Sequence, residues 1–358
     1  MSDSQSLEGK VRDRATSFGA SLVDFAPART YPEYVQEVQR RAAERHFKVE
    51  DYRLSPKSKD FLALYEDPRK TLPSVRSIVL VGAYSLDDSC NYKTATRDLR
   101  GKIARTYAYY PVVRMIAESL ATFLRQGLGF EAVHTENLPL KIAAVDMGLA
   151  TYGENGVLLS KKYGSYFALC GVLTSAVLQP GAGPIEDQCT HCGACRKACP
   201  TRALYKPYAL DPMLCVNAVA RRSIPIEEPL RGKIGSWFRG CDVCQEVCPK
   251  NRPLVARAAD PRSGYDSLSH SPHIYLDGLE RLPRLLPLLD AGQPFLMRRN
   301  AAIVLGNIGR GDPEVLKALR HHAANEEGEL KSYLLWALER NKRWPWAALE
   351  NQGPSNRS

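Results

Sequence analysis

The strongest constraint on this chain is a run of four cysteines within eleven residues, Cys189-Thr-His-Cys-Gly-Ala-Cys-Arg-Lys-Ala-Cys199-Pro. This C-x2-C-x2-C-x3-C-P spacing is followed by a single Cys215 in "DPMLCVNAV". Cys241, Cys244 and Cys248 come next in "CDVCQEVCPK", which again closes on Cys-Pro. Eight of the ten cysteines lie between residues 189 and 248, so the thiol chemistry is confined to one segment. The start, "MSDSQSLEGKVRDRATSF", lacks the apolar core of a secretory signal. No apolar run reaches the roughly 18 residues a membrane span needs, so a cytoplasmic chain off the membrane is expected. In a reducing compartment such cysteines serve as metal ligands rather than disulfides.

Short glycine-containing loops let three thiolates converge on one face of an iron–sulfur cubane. The fourth cysteine, past the turn, then reaches a neighbouring cluster, as in two-cluster bacterial ferredoxins. On that logic Cys189, Cys192 and Cys195 take Cys248 as their partner. Cys199 joins Cys215, Cys241 and Cys244 around a second 4Fe–4S centre. The competing reading is a pair of zinc sites, but zinc ribbons use C-x2-C pairs split by a longer loop, which explains the triplet poorly. Cys90 and Cys170 fall outside the pattern and are expected to be buried free thiols. Clusters of this kind carry single electrons at low potential. An electron carrier needs only a fraction of 358 residues, so the rest of the chain is expected to receive the electrons.

The flanking segments predict an α+β protein of several parts. Residues 1–48 read as helical and amphipathic, "RSIVLVGAYS" (76–85) as a buried strand, and "YYPVVRMIAESLATFLRQGLG" as a helix stopped by glycine. "FEAVHTENLPLKIAAVDMGLA" reads as strand, turn and helix, and "NGVLLSKKYGSYFALCGVLTSAVL" as a β-hairpin. "QPGAGPIED" (179–187) is a linker by composition. The expected parts are 1–180, an α/β domain; 181–260, the cluster module; and 275–348, helical repeats of HEAT type built from "LERLPRLLPLLDAG", "PFLMRRNAAIVLGNIG", "DPEVLKALRHHAAN" and "GELKSYLLWALER". Lys and Arg number 49 against 39 Asp and Glu, a net charge of +10. This favours a polyanion such as RNA, or a small acidic electron donor such as flavodoxin or ferredoxin, as much as it favours solubility. The "MRRN" and "RNKRWPW" stretches are expected to offer cations beside aromatics to a phosphate backbone. No heptad or long apolar seam appears, so a monomer is expected.

With these residues in view the chain resembles the epoxyqueuosine reductase family, cobalamin-dependent iron–sulfur enzymes of tRNA queuosine synthesis that are related to reductive dehalogenases. The resemblance runs over nearly the whole length. It includes the helix after "KIAR", the "MGLATYGENGVLLSKKYGSYF" segment, the cysteine block and the helical tail. It implies a nitroreductase-like α/β domain that holds cobalamin beside the ferredoxin module, and an oxidoreductase that removes the epoxide oxygen of the tRNA wobble nucleoside. Gly148, Gly153 and Gly156, with Asn155, would let the backbone lie against a flat corrin, although a helix-to-strand turn needs glycine equally. Leu158 and Leu169 would then touch the corrin edge.

The sequence also departs from the family. The proton-donating aspartate of the family falls fourteen residues before the first glycine of its segment, and that offset from Gly148 lands on His134 in "VHTENLP". Histidine can still deliver a proton, with Glu136 as a second candidate. The D-Y-H of the family is replaced within "TYAYYPVV", and Ala150, Thr151 and Glu154 are substituted in "GLATYGE". These changes keep two alternatives open, a corrinoid reductase of a small molecule and a ferredoxin-type electron carrier with no substrate of its own.

Overall fold

The computed structural model describes residues 6–48, 61–86, 99–222, 224–258 and 283–343. The N-terminal part runs α1 (Leu7–Ser17), β1 (Leu22–Pro27), α2 (Pro32–Arg45), α3 (Phe61–Glu66), β2 (Ser77–Tyr84), β3 (Lys102–Ile103), α4 (Arg105–Thr122), β4 (Ala132–Thr135), α5 (Leu140–Asp146), β5 (Thr151–Tyr152), β6 (Leu158–Leu159) and β7 (Phe167–Thr174). Four of these strands make an antiparallel sheet in the order β1-β2-β7-β4. The expected buried strand is β2, and its apolar run serves both faces. Val79, Val81 and Ala83 meet Val113, Ile116 and Leu120 of α4, while Ile78 and Leu80 meet Ala143, Ala144 and Met147 around α5. Each Val, Ile, Leu or Met so buried stabilises the packing by about 2 kcal/mol, and each Ala by less.

Two N-terminal expectations change. Residues 1–48 are not helical throughout, because β1 interrupts them: Val23 and Phe25 point inward with period 2, and Pro27 ends an edge strand. The expected hairpin is also absent. β6 pairs with β5, and β7 pairs with β2 and β4, leaving the Ser160–Gly164 bridge as the remnant of the turn. All eight residues of β7 are buried: β2 pairs with it along its whole length and β4 along Gly171–Thr174.

The cluster module is assembled from short pieces: α6 (Ala194–Ala198), α7 (Val216–Val219), α8 (Glu228–Lys233), β8 (Trp237–Arg239), α9 (Val243–Glu246) and α10 (Arg252–Ala258). β8 pairs in parallel with β3, which ties the module to the first domain. Beyond it stand α11 (Phe295–Ile308), α12 (Pro313–Asn325) and α13 (Gly328–Lys342). Two expected helix pairs thus become three helices and a turn. The described part of "LERLPRLLPLLDAG" holds only a 3-10 turn at Leu286–Leu289, since Pro283 and Pro287 lack the N–H a helix interior needs. Leu279–Leu282, Cys90 and the Trp344–Trp346 end of "RNKRWPW" lie outside the described residues. Among the described residues no helix is long and apolar enough to cross a membrane.

"MRRN" does not present cations outward. Arg298 and Arg299 are 8% and 0% exposed, and their guanidinium groups bond to backbone carbonyls: Arg298 to Leu289, and Arg299 to Val219, Arg222 and Ile224. The pair is an internal staple, because an arginine fork satisfies several carbonyls where no water can reach.

Candidate metal centre

Cys189 and Cys192, from the loop leading into α6, and Cys195 within it line one cavity together with Cys248 from beyond α9. Cys215, Cys241 and Cys244 lie close enough to one another for their charges to interact; Cys199 acts on Cys215 and Cys241, and Cys195 on Cys244. Among the described residues no three Cys, His, Asp or Glu side chains converge on a single-ion position. A ring of thiols around a cavity suits a cubane better than one tetrahedral zinc.

The quartets differ in depth. Cys192 is exposed, and its pKa is lowered by the backbone N–H of Ala194 and the Thr190 hydroxyl. Burial pushes the thiols of Cys241, Cys244 and Cys215 up, and neighbouring thiolates push them further. Such a set ionises readily only when metal neutralises it, so it fits a bound cluster whose insertion releases protons. Cys170 is buried in β7 outside both quartets, as expected, and burial raises its thiol pKa to about 12.

Several contacts hold the cysteines in place. Asp242, between two ligand candidates and fully buried, accepts from the Arg105 N–H at the start of α4 and from Gln245 Nε2. Asn251 and Ser165 close a buried ring with Gln245, which fixes the stretch after Cys248 against the turn before β7. Asp211 holds the turn before Cys215 and receives Arg45 of α2 at 2.5 Å.

The glycine segment forms the β5–β6 hairpin, whose tip joins the first cavity through Gly153, Glu154 and Asn155. Thr151 accepts from the Gln188 N–H at 2.9 Å, and Glu154 lies 3.5 Å from His191 and 3.4 Å from Arg196. Glu154 is 7% exposed and is a site residue the sequence reading passed over as a mere substitution; its clue was a carboxylate in an otherwise small-residue turn. Gly148, at φ +74°, caps α5, and a Cβ there would stand 1.9 Å from the Gly183 carbonyl, so packing alone requires glycine. Gly153 is hemmed in by Asn155 and Leu159, whereas Gly156, at φ +72°, faces open space. Leu158 and Leu169 are 3% and 8% exposed, so their side chains belong to the core and leave only backbone for a ligand.

Lys141 of α5 donates to the Gly156 carbonyl at 2.7 Å. The residue is exposed, and desolvation lowers its pKa against the opposing pull of Cys244 and Cys215. Arg221, just past α7, bonds the Tyr107 hydroxyl at 2.6 Å. The phenol of Tyr110, raised by burial, feels both Arg221 and Glu136. His134 is half-buried on β4 opposite Val172, and Glu136 is exposed and paired with Arg114 at 2.9 Å. The strand's alternation puts His134 on the face of Ala132, toward α4, and Glu136, one residue past the strand, reaches Arg114 of α4.

Fold and site together define an iron–sulfur oxidoreductase with an α/β domain abutting a two-cluster module. A family described as "4Fe-4S double cluster binding domain" matches residues 188–251. The epoxyqueuosine reductase of Synechocystis is 32% identical over 210 residues, covering 55% of this chain and 71% of its own. That of Staphylococcus aureus is 28% identical over 362 residues, covering 94% of this chain and 89% of its own. A crystal structure of epoxyqueuosine reductase with an epoxyqueuosine-modified tRNA stem loop matches with a TM-score of 0.69 at 22% identity, covering 94% of this chain and 99% of that one. The chain belongs to the epoxyqueuosine reductase family.

Proposed function

We propose that the chain reduces epoxyqueuosine to queuosine at the tRNA wobble position, using two 4Fe–4S clusters and cobalamin. The observation that carries this reading is the cysteine-rich segment 188–251, which matches a double-cluster family and whose inner thiols Cys244 and Cys215 act on Lys141 of the α/β domain. Cys189, Cys192, Cys195 and Cys248 would hold one cluster and Cys199, Cys215, Cys241 and Cys244 the other, supplying single electrons at low potential drawn from a small acidic donor.

A flat macrocycle would lie at Gly156, where a Cβ would meet nothing within 4 Å and whose carbonyl Lys141 holds. Asn155 and the backbone near Leu158 and Leu169 would complete its rim. Bound there, the corrin supplies low-valent cobalt for carbon–oxygen bond reduction, and the protein supplies position and protons. His134 would deliver the proton, with Glu136, paired with Arg114, as the second candidate donor. The tail, of HEAT type, carries part of the tRNA contact.

The deciding experiment reconstitutes the protein with iron and sulfide and then offers cobalamin. A retained corrin spectrum is expected, along with epoxyqueuosine accumulating in tRNA from a deletion strain. A protein that keeps no corrin, or a strain with normal queuosine and no second such enzyme, overturns the reading. His134 in place of the aspartate of the family favours a second reading, a corrinoid reductase of a small molecule, for which turnover is independent of the tail.

A further inference from the structure

The two quartets are built differently. In the first, three cysteines share one loop. In the second, Cys215 and Cys241 arrive on separate segments, and Cys215 stands at the head of α7, a single turn of Val216–Val219 that has no stability of its own. What fixes the distance between those segments lies in another part of the molecule. Asn300 of α11, 7% exposed, donates both hydrogens of its amide, one to the Ala220 carbonyl at 2.8 Å and one to the Phe238 carbonyl at 3.0 Å. Ala220 closes the turn that Cys215 begins, and Phe238 lies in β8, just before Cys241.

Arg299 sets the angle of that amide by donating to Asn300 Oδ1 at 3.1 and 3.0 Å, and it binds the Val219 and Arg222 carbonyls with its remaining donors. Its cation is fully buried, and desolvation lowers its pKa. Burying a charge that is bonded to carbonyls and an amide oxygen, with Glu329 only near by, is costly, and an apolar side chain would fill the space at lower cost, so filling space does not account for the pair. Holding two backbone segments at one separation does.

We propose that Asn300, set by Arg299, is a positioning residue for the second cluster, so that the C-terminal helices form part of that cluster's site. The inference rests on the reading that Cys199, Cys215, Cys241 and Cys244 hold one cluster. The test uses the full chain reconstituted with iron and sulfide, comparing Asn300→Asp, Asn300→Leu and Cys215→Ser. Asn300→Asp keeps the acceptor for Arg299 and removes both donated hydrogens.

Both Asn300 variants are expected to lose half of the iron and acid-labile sulfide. Their reduced electron paramagnetic resonance spectrum should simplify to one cluster without magnetic coupling, matching Cys215→Ser. A full iron complement with an unchanged spectrum in Asn300→Asp, while Cys215→Ser loses a cluster, overturns the positioning role. Loss of both clusters in Asn300→Asp also overturns it, because the role is confined to the second quartet. Cys215→Ser retaining both clusters instead sinks the ligand reading, and the inference falls with it.

Discussion

Gly148 and Gly156 share one short segment and nearly the same left-handed backbone, φ +74° and +72°, yet they do different work. A methyl group at Gly148 strikes the Gly183 carbonyl, so Gly148→Ala is expected to lower stability by more than the roughly 1–2 kcal/mol of the left-handed penalty, read as a fall in Tm. Gly156→Ala meets open space and should cost about that penalty alone, while corrin retention falls; unchanged retention would take Gly156 out of the cofactor site. His134→Ala is expected to reduce turnover by about a hundredfold with iron and corrin content unchanged, the size of a lost proton donor. Cys170 shows the opposite, a titratable group with a purely structural consequence. Its folded pKa of about 12 exceeds the ordinary value of 9.0, so its contribution to stability is complete below pH 9 and fades as pH rises toward 12. A Cys170→Ala variant should therefore show a shallower alkaline limb in urea unfolding than the parent chain.

At the scale of elements, what the sequence reveals depends on how local the cause is. β2, α4, β4 and α5 stand where their patterns put them, because each carries its own periodicity and stop signals. The double-cluster segment was legible too, since its signature is written in cysteine spacing. β1 was hidden inside a helical stretch because a six-residue edge strand is chosen by its partner β2 rather than by its own residues. The same cause moved β7 out of its expected hairpin: pairing with β2 along its whole length and with β4 along half of it prevails over one short turn. Arg298 and Arg299 looked like surface cations because a sequence gives charge without depth, and the carbonyls that accept them come from residues 219–224 and Leu289. Glu154 was missed for a related reason. Its partners His191 and Arg196 lie beyond the linker, and only the folded hairpin brings them within reach.

At the scale of the whole molecule, the charge balance of +10 has to be divided between fold and partner. Arg299 is spent inside, and Arg45 and Arg105 are engaged with Asp211 and Asp242. Lys317, Arg320, Arg340, Lys342 and Arg343 remain exposed on the C-terminal helices, and Lys197, Lys250 and Arg252 are exposed near the first quartet. These two groups serve different anions and separate by experiment. A tRNA anticodon stem loop held by roughly six phosphate contacts should lose on the order of a thousandfold in affinity between about 50 and 200 mM salt, because each contact releases counterions. Replacing Lys317 and Arg320 with glutamine should flatten that dependence while leaving reduction of the clusters by dithionite unchanged, since dithionite needs no docking surface. If the slope of affinity against salt is the same in the variant, the tail does not carry the RNA, and the buried staple of α11 is then the main use the chain makes of its C-terminal helices.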